Sequence, residues 1–317
     1  MKKRVSVLFI LSVAILLTII IGTVLASHIA PYDPDEMDIV NKLAGISREH
    51  ILGTDKVGRD IFSRALFGGR TTILSAFAVV AISILFGIPI GLYAGYYGGR
   101  LDRIVTNVWN IILSFPSMLL AFVLMAVIGK GIKAGILALG IIYTPMISRL
   151  ARSLVTVEKN KHYVEAERII GASDARIIFV HILPNCVSEL ISELTLDIAY
   201  AILDLASLSF LGLGVQPPQS DWGYMLSDAQ QFITISPIQA LVPGFLIILS
   251  VVSLNIVSTE VIDNFESGRY SLGHTVKDVK RKRRISDFAL GYLKHAFGTE
   301  KAEVKGKNKW KERAFSK

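Results

Sequence analysis

The stretch YVEAERIIGASDARIIFVHILPN, residues 163–185, is a charged island between long apolar runs, and its reading decides how the rest of the chain divides. It carries five charged residues: Glu165, Glu167, Arg168, Asp174 and Arg176. The spacing predicts a short helix over 162–170, with Ala166, Ile169 and Ile170 on one side and Glu165, Glu167 and Arg168 around the rest. Gly171 supplies the left-handed residue that ends it. Ser173 then caps a second helix whose first turn holds Asp174 at the positive end of the dipole. Pro184 is expected to break that helix beyond Leu183. Basic residues do not dominate the polar face of this foot, as they do in helices lying on headgroups. An apolar patch between ordered caps fits docking in a partner protein's groove.

Outward from the island the chain is built for lipid. Of 317 residues, 52% are hydrophobic and 19% charged, and the mean hydropathy is +0.51. An average soluble domain is about 45–50% apolar. Crossing a hydrocarbon core about 30 Å thick takes about 20 helical residues. Six stretches qualify, near 5–27, 72–97, 104–128, 132–151, 190–213 and 240–262, with Lys133 opening the fourth and acids interrupting the fifth. The expectation is an all-α integral membrane protein with six transmembrane helices. An N-terminal anchor and extracytoplasmic segment would occupy 1–71, a transmembrane domain 72–262 with a cytoplasmic loop at about 153–187, and a basic cytoplasmic tail 263–317. The first span ends in TVLAS, as a cleaved secretory signal does. Its apolar core runs 23 residues without a charge, longer than the roughly 7–15 of a signal, so a retained anchor is expected.

Orientation follows from Lys and Arg in the loops. With the N-terminus inside, cytoplasmic loops hold Arg100 and Arg103, then Arg149, Arg152, Lys159, Lys161, Arg168 and Arg176. The loop at 215–239 has no Lys or Arg and faces outward. The segment 28–70 must also lie outside; its six Lys/Arg are balanced by seven acids. The tail holds fifteen Lys/Arg against seven Asp/Glu, including Lys280-Arg281-Lys282-Arg283-Arg284, which enforces an inside position and attracts anionic lipid. It has no aromatic or motif support for nucleic acid. Both termini are therefore expected on the cytoplasmic side of the plasma membrane.

Several chemistries are disfavoured. Cys186 is alone, so there is no disulfide framework or Cys-based metal site. His28, His50, His162, His181, His274 and His295 show no i, i+4 pairing, so no metal is expected. No G-x-x-x-x-G-K-[ST] loop occurs, and no Ser/His/Asp arrangement has a credible local signature. Neither catalysis nor a cofactor is expected on this chain.

The fifth span carries an irregularity. Glu189, Glu193, Asp197 and Asp204 recur at spacings of four, four and seven, and Tyr200 and Ser207 share their stripe. Ionisable groups inside a membrane helix face water or a partner rather than lipid. Glu189 and Glu193 are near enough to the end to reach the headgroups. Asp197, Tyr200, Asp204 and Ser207 are candidate lining of a translocation path, with a structural hydrogen bond to a neighbouring span as the alternative for Asp204. Pro116 and Pro145 lie inside spans and are expected to kink them, as fixed packing or as moving elements. GTDKVGRD, at 53–60, reads as a surface turn, a structural cap or a protein contact.

Four motifs in order carry a family resemblance. Glu165-Ala166-x-x-x-x-Gly171 followed by Ile182-Leu183-Pro184 resembles the EAA loop of ABC-importer permeases, with Glu167 where a second Ala is usual. HILGTDKVGRDIFSRALFGGR at 50–70, GYYGGRLDRIVTNVWNIILSFPSMLLA at 95–121 and ASLSFLGLGVQPPQSDWGYML at 206–226 are similar to the C-type permease subunit of dipeptide, oligopeptide and nickel importers. The resemblance implies a type I importer transmembrane domain. It also implies a homologous second permease, two ATP-binding subunits docked on the EAA loops, and an extracytoplasmic binding protein. It makes Glu165, Ala166, Gly171, Ile182, Leu183 and Pro184 the ATPase-coupling residues. Departures are Asn107 and Asn110, where the family generally has an Arg and an Asp, STEVID at 258–263 in place of GDGLRD, and Leu205, where an acid is usual. Peptide is the expected cargo, with nickel or another small solute as the alternative. A membrane anchor recruiting a cytosolic partner, or a secondary transporter, would share the spans but not the need for ATPases.

Overall fold

The computed structural model describes residues 6–269. In chain order its helices are α1 (Val7–Val24), α2 (Ala26–Ile29), α3 (Ile61–Tyr97), α4 (Gly99–Leu113), α5 (Ser117–Ile128), α6 (Ile132–Glu158), α7 (His162–Ile169), α8 (Asp174–Arg176), α9 (Leu183–Phe210), α10 (Trp222–Ala229) and α11 (Ile238–Arg269). A π-helical stretch at Ile177–Ile182 joins α8 to α9. Five helices are long and apolar enough to cross a membrane: α1, α3, α6, the continuous helix Asp174–Phe210, and α11. The pair α4 and α5 supplies a sixth crossing, so the all-α membrane architecture stands as expected. Most of the basic tail, from 270 onward, lies outside the described residues.

The third span differs from the expectation. Pro116 does not kink one helix; α4 and α5 meet at 90° across residues 114–116. Proline has no N–H to continue the α4 ladder, while its own carbonyl accepts from Leu120 N at 3.0 Å and starts α5. Pro145, by contrast, stays within α6 and is buried.

The core is α3 against α6, and the contact is made by glycines. A methyl group on Gly87 would lie 2.8 Å from the Thr144 carbonyl oxygen, one on Gly91 2.2 Å from that of Ser148, and one on Gly95 2.7 Å from that of Arg152. Only helices with small residues at the contact approach this closely in a membrane. The three contacts rise in step along both chains, so α3 and α6 run parallel. The segment between them must then return across the bilayer, which makes α4 with α5 one broken crossing rather than a surface excursion. In α9, Leu190 packs with Ala151 and Val155 while Leu205 lies against Gly135, so α9 is antiparallel to α6.

α3 starts at Ile61, well before the expected 72, because Asp60 caps it by accepting from Ser63 N at 2.8 Å. Trp222 is fully buried; its indole donates to Ala65 O at 2.9 Å and its amide to Thr72 Oγ1 at 3.1 Å, which pins α10 to the first turns of α3. Asp221 caps α10 through Tyr224 N at 2.6 Å and accepts from Ser209 Oγ at 2.6 Å. Burial pushes the Asp221 carboxyl up to about 6, against hydrogen bonds from Ser209 and the α10 backbone that pull it down.

Candidate functional site

The foot forms as its sequence predicts, up to Pro184. Helix α7 ends in a Schellman motif: Ala172 N donates to Glu167 O at 3.0 Å, Gly171 N to Arg168 O at 3.1 Å, and Gly171 has φ +82°. Ser173 caps α8, accepting from Arg176 N at 3.4 Å. Val164, Ile177, Ile178 and Ile182 are buried against Leu92, Tyr96, Ala151 and Val155. That burial turns Ile169 and Ile170 outward, 81% and 75% exposed, beside exposed Glu165 and Ala166. The foot is otherwise packed, and its tip is apolar and exposed.

Pro184 is a correction. It breaks nothing: Asp174–Phe210 is one helix, with Leu183 half-buried and Pro184 exposed at its second α-helical position. The π-helical stretch just before it moves the ladder to i→i+5 bonding, with Leu183 N donating to Ile178 O, so the missing proline N–H leaves the wide turn intact. Asn185 Nδ2 takes up His181 O at 2.7 Å. The second helix of the foot and the fifth span are thus a single lever.

Polar contacts tie this lever to the ends of α3 and α6. Tyr96 OH donates to Asp174 Oδ1 at 2.8 Å, and the Arg168 guanidinium sits 5.2 Å from the centre of the Tyr96 ring. Lys159 Nζ donates to Gly95 O at 2.7 Å and Tyr96 O at 3.1 Å, where α3 ends. Tyr163 OH donates to Glu158 Oε1 at 2.9 Å, and burial with that carboxylate pushes the phenol up to about 12.

Ahead of α3, GTDKVGRD is no surface turn, because Thr54, Asp55, Arg59 and Asp60 are all buried. Arg59 Nε donates to Asp55 Oδ2 at 2.6 Å and its Nη2 to Asp228 Oδ2 at 3.3 Å; Lys56 also meets Asp228 at 2.6 Å. His50 Nδ1 lies 3.0 Å from Asp60 Oδ1, and Arg64 Nη1 donates to Pro34 O at 3.0 Å. The motif binds the segment ahead of α3 to α10.

Within the membrane the α9 stripe is split. Asp197 is buried, and its Oδ2 has no hydrogen-bond partner among the described residues. Asp204 is half-buried and accepts from Tyr143 OH on α6 at 2.9 Å. Ser207 Oγ bonds back to Leu203 O at 2.7 Å, and Tyr200 is 52% exposed. On the other flank of α6 lies α4. Arg152 holds Asp102 with two nitrogens, Trp109 Nε1 donates to Ser148 Oγ at 2.9 Å, and Arg149 Nη2 donates to Asn110 Oδ1 at 3.1 Å. Arg149 and Arg152 therefore belong to a membrane-spanning helix, although the sequence places them at a loop. Tyr143, Arg149 and the Gly87-Gly91-Gly95 stripe are not singled out by sequence reasoning; the G-x-x-x-G spacing was the signal available for the stripe. No group of three or more His, Cys, Asp or Glu able to hold a metal occurs among the described residues.

Residues 87–269 match the family model described as binding-protein-dependent transport system inner membrane component. Among curated relatives, the dipeptide transport system permease protein DppC of Alkalihalophilus pseudofirmus is 39% identical, covering 83% of this chain and 84% of that protein. The glutathione transport system permease protein GsiD of Escherichia coli is 38% identical over 77% of this chain and 81% of its own length. The nickel transport system permease protein NikC of Escherichia coli is 35% identical over 74% and 85%. In fold, the chain is similar to a chain of the MetNI methionine ABC transporter in an inward-facing conformation, with a TM-score of 0.51, 21% identity, and coverage of 62% of this chain and 94% of that one. The chain belongs to the family of binding-protein-dependent transport system inner membrane components, the permease subunits of ABC importers.

Proposed function

We propose that this chain is one of two homologous permeases that together form the path for di- or oligopeptides, delivered by an extracytoplasmic binding protein and driven by two partner ATPases. The observation that carries the reading is the foot: a capped, tethered helix pair whose outward tip is apolar and whose second helix continues into a membrane span. Such a tip suits the groove of an ATP-binding subunit, because docking there would move the whole lever. Glu165, Ala166, Gly171, Ile182, Leu183 and Pro184 are the coupling residues in this scheme, and hydrolysis belongs to the partners. The Lys/Arg distribution supports a cytoplasmic foot with both termini on the same side. Tyr200, Asp204 and Ser207 would line the path, with Asp197 behind them.

Two measurements test the proposal. Mild-detergent purification should bring down a second permease and two ATP-binding subunits; their absence leaves a non-transporting anchor as the better reading. Mass spectrometry of the ligand carried by the cognate binding protein then identifies the cargo. A metal chelate alone would replace peptide with nickel or another metal, the cargo named for one of the relatives.

A further inference from the structure

Helix α6 presents an open arc between its two flanking helices. Tyr143, holding Asp204, marks the α9 edge, and Arg149, bonded to Asn110, marks the α4 edge. Between them Met146 is exposed, as is Ser153 one turn beyond Arg149. Six residues separate the two edges, a rise of about 9 Å and a rotation of about 120° around the helix. Arg149 lies about 13 Å along α6 from Glu158 and about 25 Å from Ile132, well within a bilayer-spanning helix.

The α4 edge is polar where lipid would not allow it. Asn107, Asn110 and Ser114 are exposed one turn apart, and Arg149 beside them is exposed with an amide, not a carboxylate, as its partner. A separate stripe of α4, Leu101, Ile104, Val108 and Ile111, is exposed and apolar and suits lipid or another helix. An intramembrane guanidinium without a counter-ion must face water or meet an anion. The neighbouring Arg152 is already neutralised by Asp102, and exposed Arg103, one turn before Asn107, lies toward the start of α4, which leaves Arg149 as the positive charge farther along this edge.

We propose that Arg149, presented by Asn110 on the open face of α6, binds the free C-terminal carboxylate of the transported peptide, opposite the carboxylate of Asp204. The inference rests on the peptide path proposed above. The rise of about 9 Å is the axial part of the separation, to which the rotation of about 120° adds, so the two groups are spanned by an extended peptide of three residues or more, at about 3.3–3.6 Å per residue. Arg is the side chain suited to a carboxylate, because two of its N–H groups match the two oxygens.

The test uses the assembled transporter with its binding protein in vesicles, with trialanine and trialanine amide as cargo, each at a concentration that saturates the binding protein. For each cargo the initial rate of a variant is divided by that of the unaltered transporter. Arg149→Gln should lower the trialanine ratio about tenfold or more, the scale of one lost charge-assisted hydrogen bond, and leave the amide ratio near one. Asn110→Asp, which gives Arg149 a competing carboxylate within the chain, should reproduce that selectivity with the fold intact. Equal ratios for the two cargoes, in either direction, overturn the proposal. So does loss of assembly in both variants, which would assign Arg149 to a subunit contact. If vesicles without anionic lipid reproduce the effect of Arg149→Gln on both cargoes, the bound anion is a headgroup instead. A transporter that moves no peptide before any substitution sinks the peptide reading itself, a result distinct from all of these.

Discussion

The Tyr143 hydroxyl donates a 2.9 Å hydrogen bond to Asp204, joining α6 to α9 within the membrane. This places the carboxylate at the edge of a helix interface, half-buried, with one oxygen committed to the phenol. The acid stripe of α9 therefore does not face a single environment. Asp197 turns into the bundle, Asp204 sits at its margin, and Tyr200 looks out.

The foot should fail if its turn cannot form. Gly171 has φ +82°, where a β-branched side chain is strained by 1 kcal/mol or more. No neighbour lies within 4 Å of the place a Cβ would take, so the penalty comes from the backbone alone. Gly171→Val should insert and express normally while peptide uptake falls severalfold and ATP hydrolysis becomes less responsive to loaded binding protein. Unchanged uptake at equal expression would remove the turn from the coupling mechanism.

The α3–α6 contact should tolerate no added side chain. A methyl group at Gly91 meets the Ser148 carbonyl oxygen at 2.2 Å and Ala151 Cβ at 2.9 Å, both rigid backbone or near-backbone atoms. Gly91→Ala should cost about 1–3 kcal/mol by forcing the helices apart. Thermal unfolding in detergent reads this as a clear drop in Tm, whereas Gly99→Ala, with nothing within 4 Å but φ +61°, should act only through its turn.

Acid should relieve a cost at Asp221. Its carboxyl has an ordinary value of 3.8 and is pushed up to about 6 by burial. Below about pH 4 the group is neutral in folded and unfolded chains alike. As pH rises through about 6, the folded chain must hold a buried carboxylate, so this group's contribution to stability declines across about pH 4–6 and stays low above it, by roughly 3 kcal/mol in total. Asp221→Asn should flatten that part of the stability profile. A variant that keeps the unaltered pH slope would assign the slope to another group.

The ionic knot around Arg59 should be intolerant of half-removal. Arg59→Leu leaves Asp228 with half-exposed Lys56 and Asp55 with Arg64, whose Nε lies 3.7 Å away, and removes the one guanidinium that bonds both acids. Breaking a buried pair by deleting one partner costs about 3–5 kcal/mol. Limited proteolysis should then cut the segment between α2 and α3 much faster, while the helices of the membrane region survive. An unchanged cleavage rate would show that the segment is held by its apolar contacts instead.

The number of crossings, the capped foot and the left-handed Gly171 were legible in the sequence, because each depends on local periodicity or on one residue's backbone preference. The parts that failed depend on what lies across space. Pro184 reads as a helix breaker, yet a π-helical turn over Ile177–Ile182 absorbs it. Pro116 reads as a kink, yet two helices part there by 90°. GTDKVGRD reads as a surface turn, a structural cap or a protein contact, and only Asp228, far along the chain, supplies the counter-charge that lets Arg59 be buried and rules out the surface turn. Arg149 reads as a loop cation because hydropathy ends the fourth span early, whereas α6 runs on to Glu158.

Asp204→Asn decides what the Tyr143 bond is for. The substitution keeps the shape and an oxygen to accept from Tyr143, and removes only the charge. A purely structural carboxylate would be replaced with little loss, since the neutral amide is cheaper to hold within the bilayer. If Asp204 instead meets the ammonium end of the cargo, uptake of free-amino peptides should fall about tenfold while N-acetylated peptides are carried at the unaltered rate, with the assembled complex recovered in full. Tyr143→Phe supplies the companion measurement. It leaves the charge but frees the carboxylate from its donor, so it should change the affinity for free-amino cargo more than the maximal rate. Equal uptake of free and blocked peptides by Asp204→Asn would reduce the residue to a packing contact between α6 and α9. Loss of the complex in both variants would make the hydrogen bond itself the element that holds those two helices in register.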